Sequence, residues 1–299
     1  MSSRHSLRWW TSGNPDGPHL LILHGGPGGR SSVRHRALTD PARWHITQFD
    51  QRGCGESEPR GGCHDNGMDQ TVLDIERLRE HLRVPSWAVL GPSWGSTVAL
   101  AYAARFPDAV DALVLTGLFM GTRAEKAFIR EGAGARPPAW SQFTALLDPS
   151  EMRDVPSAYR ERIHDATHPQ HDPALRGWMA YDAARSGITL RPERVNTWLD
   201  RDRDGIVGSL KIESHYAAHG YFLPDEGILG EVNRVKAPVL VIQGRRDTFG
   251  LNAAHALAEV LPGIDLKVVN AGHSALEEGI RGEIRKALEG VRDRAATGA

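Results

Sequence analysis

Trp87-Ala-Val-Leu-Gly-Pro-Ser-Trp-Gly-Ser-Thr-Val-Ala-Leu-Ala-Tyr-Ala-Ala104 is the stretch that decides the fold. It opens on a short apolar run, Trp87 to Leu90, breaks at Gly91-Pro92-Ser93-Trp94-Gly95, and resumes as a helix-like segment from Ser96 to Ala104. A strand that turns into a helix through Gly-x-Ser-x-Gly is a nucleophile elbow. Its glycines admit a turn too tight for a Cβ on either side, and its serine is held strained with the hydroxyl exposed at the start of the helix. The bare pattern is common, and a structural turn is the bland alternative. The strand-to-helix context is what points to Ser93 as a nucleophile.

Similar short aliphatic runs bounded by Gly or Pro lie on both sides of the elbow: Leu20–Leu23, His45–Phe49, Ala112–Thr116, Val239–Gln243 and Leu266–Asn270. Runs of this length predict strands buried on both faces. Helical periodicity separates several of them. From Asp69, which can cap the start, Val72, Ile75, Leu78 and Leu82 keep one apolar stripe. Alternating β and α units predict an α/β fold with a mostly parallel central sheet covered by helices. The alternation stops after Leu118 and resumes near Pro238. The expected division is therefore a first core part at 1–118, an inserted helical cap at 119–236 and a second core part at 237–299. The tail after Arg294 is expected to fray.

A serine hydroxyl needs a base and an acid to orient that base. Asp247 follows a predicted strand in Gly244-Arg-Arg-Asp247, and His273 follows the last one in Asn270-Ala-Gly-His-Ser274. Both therefore fall at carboxyl ends of strands, on the edge that carries Ser93. A solvated loop carboxylate and a surface histidine are the alternatives, and the pairing of positions favours catalysis. The backbone N–H of Trp94 is one expected oxyanion donor. The glycine-rich loop His24-Gly-Gly-Pro-Gly28 supplies the other, assigned to Gly26.

Composition narrows the function. Lys plus Arg number 36 against 37 for Asp plus Glu, so no global field draws the chain to nucleic acid or to an anionic membrane. A small peptide or amide substrate fits better. The two cysteines, Cys54 and Cys63, are too few for a disulfide framework and read as reduced thiols, with Cys54 packing rather than reacting. The sequence shows neither a signal-like apolar run at the N-terminus nor a stretch of about 18 apolar residues. A cytoplasmic protein is expected, with no metal and no cofactor.

Leu23-His-Gly-Gly-Pro-Gly28, Phe49-Asp-Gln-Arg-Gly-Cys-Gly-Glu-Ser57, the Ser93-Trp-Gly-Ser96 elbow, Gly244-Arg-Arg-Asp247 and Gly272-His-Ser274 together resemble the prolyl iminopeptidase family of α/β-hydrolases. The likeness runs from about Trp9 to Leu276. It implies the α/β-hydrolase fold and release of an N-terminal residue, typically proline, from peptides or arylamides without a metal. It also implies two cap carboxylates that bind the substrate's free α-amine. One matches Glu213, in Glu213-Ser-His-Tyr216. The other falls at Asp182, closing Trp178-Met-Ala-Tyr181-Asp182, where Trp178 and Tyr181 would line the substrate site. Asp182 is one methylene shorter than the family's glutamate, Tyr181 replaces another aromatic, and Pro92 stands where the family has glycine. The late start of the chain implies a shortened or missing edge strand. Two other readings keep the fold and change the function: an esterase, amidase or peptide-tailoring hydrolase with an altered cap, and a ligand-binding receptor on a hydrolase scaffold.

Overall fold

The computed structural model describes residues 4–130, 137–185 and 190–297. Seven strands form one sheet: β1 Trp9–Gly13, β2 His19–Ile22, β3 His45–Phe49, β4 Trp87–Pro92, β5 Val110–Thr116, β6 Val239–Gly244 and β7 Asp265–Val269. Their spatial order is β1-β3-β2-β4-β5-β6-β7. All neighbours run parallel except β1, which pairs antiparallel with β3 along the edge. An edge strand is thus present at the N-terminus, five residues long.

The strands alternate their side chains between two apolar layers. Leu21, Leu23, Val89, Leu113, Leu115 and Val241 pack with the helices α1 Met68–Leu82 and α2 Trp94–Arg105. Leu20, Ile22, Ala88, Leu90, Ala112 and Val114 pack with Ile280, Ile284 and Leu288 of α9 Glu278–Thr297. Double coverage makes β4 buried at every residue. The edge strand β7 is only half-covered, so its apolar run does not mean burial on both faces. Gly67, not Asp69, precedes α1, and it offers no side-chain cap. Asp69 lies instead in the first turn, where its charge complements the helix dipole. Helix α9 runs past Arg294 to Thr297, and 298–299 of the tail expected to fray lie outside the described residues.

Between β5 and β6 the described chain is helical, with α3 Arg123–Arg130, α4 Pro137–Thr144, α5 Val155–His164, α6 His171–Arg185 and α7 Pro192–Ala218. Residues 131–136 and 186–189 of the expected cap lie outside the described residues. Helix α7 kinks at Asp202, whose backbone leaves helical geometry while its side chain accepts from the Gly205 N–H and caps the second half. After α7 the short turns Gly227–Gly230 and Val232–Arg234 already pack against α2, so the chain has rejoined the core before residue 236. Helix α8 Thr248–Val260 connects β6 to β7.

Candidate active site

Ser93 stands between β4 and α2 with φ +54° and ψ −129°, a strained backbone for a residue with a Cβ. Gly91 makes the turn possible, because a Cβ there would meet the Gly95 carbonyl oxygen at 2.4 Å. Asp247 follows β6 and His273 follows β7, so three parallel strands bring the three side chains to one sheet edge. His273 Nε2 lies 3.0 Å from Ser93 Oγ, and His273 Nδ1 lies 2.7 Å from Asp247 Oδ2. Two further donors reach the aspartate: the Gln243 amide at 2.9 Å on Oδ2 and the Gly250 N–H at 3.1 Å on Oδ1. Burial, the strongest influence on Asp247, pushes its carboxyl up. The hydrogen bond and charge of His273, joined by Gly250 and Gln243, outweigh it and hold the group below the ordinary aspartate value. Gln243 is fully buried and also accepts from the Leu118 N–H at 3.3 Å. Sequence reading missed it, although a glutamine closing an otherwise apolar strand was the signal.

Gly26 and Trp94 line the same cavity as Ser93. The loop that carries Gly26 is fixed from beneath. His24, which is 1% exposed, faces the Gly25 carbonyl with Nδ1 at 2.7 Å, and the Gln51 N–H donates to His24 Nε2 at 3.0 Å. A backbone N–H can only donate, so Nε2 is unprotonated and Nδ1 carries the proton given to Gly25. Burial lowers His24 to about 4, which keeps it neutral. The Gln51 side chain donates to the His24 carbonyl at 3.1 Å and accepts from the Trp94 indole at 3.1 Å. Both expected oxyanion positions are therefore tied to one glutamine.

The cavity holds about 790 Å³ and is walled by Phe119, Phe128, Tyr221 and Phe249, with Asp182 and Glu213 on the cap side. Glu213 is brought there because the second half of α7 rests on the glycine loop. Ser209 donates to the Gly28 carbonyl at 2.6 Å, and a Cβ on Gly28, whose φ is +85°, would meet the Ser209 carbonyl oxygen at 2.3 Å. Trp178 and Tyr181 do not line the cavity. They share one face of α6 and are buried in a cap cluster, where Phe143 stacks between Tyr181 at 4.1 Å and Tyr159 at 4.0 Å and meets Trp178 edge-on. Asp182, next along the helix, points round to the cavity. The aromatic wall expected from residues 178 and 181 comes instead from 119, 128, 221 and 249.

A family model of the alpha/beta hydrolase fold matches residues 18–280. The chain is 37% identical over 296 residues to a proline iminopeptidase of Arabidopsis thaliana, covering 97% of this chain and 77% of that one. It is 33% identical over 297 residues to the proline iminopeptidase of Neisseria meningitidis serogroup A, covering 97% and 94%. The chain belongs to the proline iminopeptidase family of α/β-hydrolases. In fold it is similar to the crystal structure of proline iminopeptidase from Mycobacterium smegmatis, with a TM-score of 0.63 at 18% identity over 98% of this chain and 97% of that one.

The stretch that suggested the family, Asp50-Gln-Arg-Gly, acts as scaffold. Asp50 accepts from the Ser31 and Glu56 N–H groups, and the buried Arg52 pairs with Asp74 of α1. Cys54 is a free thiol, buried and pushed up to about 12 by burial, and it does not line the cavity that holds Ser93. Cys63 is also free. Among the described residues no helix is long and apolar enough to cross a membrane.

Proposed function

We propose that this protein is a serine aminopeptidase that removes an N-terminal residue, proline or a close analogue, from a small peptide or amide. One observation carries the reading: the Ser93–His273–Asp247 hydrogen-bond chain opens into a cavity that the cap residues Asp182 and Glu213 also line. In this mechanism His273 Nε2 takes the Ser93 proton as Oγ attacks the scissile carbonyl, and Asp247 holds the imidazole and stabilises its cation. The N–H groups of Gly26 and Trp94 receive the oxyanion. Collapse expels the leaving amine with the proton from His273, and water repeats the sequence to free the acyl product. The cap carboxylates hold the substrate's ammonium, which fixes the cleavage point one residue from the N-terminus. The division into a core interrupted by a helical cap belongs to this reading, as does a cytoplasmic setting, which free thiols suit.

The test compares prolyl and N-acetylprolyl arylamides. A hydrogen bond to a charged group is worth about 1.5 to 3 kcal/mol, so Glu213→Gln should lower kcat/KM for the free-amine substrate by about tenfold to a hundredfold and leave the low acetylated rate unchanged. Equal loss on both substrates would remove the amine site from the mechanism.

A further inference from the structure

Behind the two carboxylates the cap contains a second cavity of about 490 Å³. It lies between α6 and α7, and its apolar lining comes from Met179, Ala183, Leu190, Trp198, Ile206 and Leu210. Asp182, Ser209 and Glu213 border both cavities, so the carboxylates stand at the boundary between the two. Arg194 closes part of the second cavity, with its guanidinium 5.4 Å from the centre of the Trp198 ring. Met179, Leu190, Trp198 and Ile206 are apolar yet remain partly exposed. Apolar surface left against water is a standing cost that an apolar occupant removes.

The order of groups along this path defines the occupant. A substrate's scissile carbonyl lies at Ser93, its Cα follows, and its ammonium reaches Asp182 and Glu213. Whatever is bonded to the far side of that nitrogen must continue past the carboxylates. Arg194 disfavours a second cation there, and the lining favours a hydrocarbon. We infer that the cap carries an apolar binding chamber for a substituent on the substrate's charged amine, so that N-terminal residues with an apolar group on a secondary amine are accepted. In a prolyl residue the nitrogen-bound CH₂ of the ring already lies on this side of the amine. An acyl group would enter the same path only by giving up the positive charge that the carboxylates hold.

This inference rests on the aminopeptidase reading, and the experiment separates the two. It measures kcat/KM for p-nitroanilides of proline, N-acetylproline, N-methylglycine and N-benzylglycine. Burial of a phenyl group should favour N-benzylglycine over N-methylglycine by about tenfold or more in the unmodified enzyme. Ala183→Phe, which fills the chamber from α6, should abolish that preference while prolyl turnover stays within about twofold. Trp198→Ala, which removes one wall, should reduce the preference several-fold, and it decides the matter if Ala183→Phe does not fold. No benzyl preference, or a preference unchanged in folded variants, overturns the chamber while amine-dependent prolyl turnover still stands. Equal hydrolysis of proline and N-acetylproline anilides overturns both.

Discussion

At the scale of single residues, the site depends on groups that hold other groups. Ser93→Ala, His273→Ala and Asp247→Asn should each lower kcat by roughly ten-thousand-fold or more, with double variants losing little further, because in the proposed mechanism the three act as a unit. A fluorophosphonate that labelled the Ser93→Ala variant would refute Ser93 as nucleophile. Gln243 makes a finer prediction. Its amide donates to the same Asp247 oxygen that meets His273, and this contact helps keep the carboxyl low. In Gln243→Leu the carboxyl rises, and its less compensated negative charge also raises the imidazolium it faces. The reactive base is the neutral ring, so the acid limb of the kcat/KM profile should move to higher pH, with about a tenfold loss near the old limb. A rate loss with an unmoved limb would make Gln243 a packing residue only.

At the scale of elements, helix α6 sorts its residues by face. Trp178 and Tyr181 build the cap's aromatic stack, while Asp182 turns to the cavity. Trp178→Ala should therefore destabilise the protein by about 3 to 5 kcal/mol, with KM for a prolyl arylamide little changed in the fraction that remains folded. Denaturant titration alongside kinetics checks this, and a large KM change at unaltered stability would return Trp178 to the binding site. The same helix shows what the sequence could and could not convey. The elbow and the positions of Asp247 and His273 were legible because strand ends and turn chemistry are local, and parallel order brings them together. The identity of the aromatic wall was not, since Phe119, Phe128, Tyr221 and Phe249 come from four separated segments that only the packing of cap on core assembles. The kink at Asp202 was equally hidden, although it aims the half of α7 that bears Glu213.

At the scale of the whole molecule, neutral histidines stand in the cap, in the core and at the joint between them. His215 Nε2 lies 2.9 Å from the Asn66 carbonyl, tying α7 to a core loop, and its buried Nδ1 has no hydrogen-bond partner among the described residues. His164 Nε2 lies 3.0 Å from the Lys211 carbonyl, bracing α5 against α7, and His24 lies under the glycine loop on which α7 rests. Burial lowers all three to about 4, and burial pushes His19 and His35 in the same direction. In the unfolded chain these rings take up protons near pH 6.5, whereas the native protein resists until about pH 4. The unfolded state thus binds more protons between these limits, and native stability falls as pH drops from 6.5 towards 4. The depressed carboxylates, Asp247 among them, begin to lose their contribution only as pH falls through the ordinary carboxylate range, and Glu125, which burial raises, works the other way, so a decline that starts at pH 6.5 reports the histidines. Thermal melts followed by circular dichroism should show Tm declining steadily from about pH 6.5 to 4.5. His215→Gln, which keeps a donor for Asn66 and cannot be protonated, should make the decline shallower. A flat Tm from pH 6.5 to 4.5 would mean that the rings are protonated in the native state, and that the fold does not depend on their neutrality.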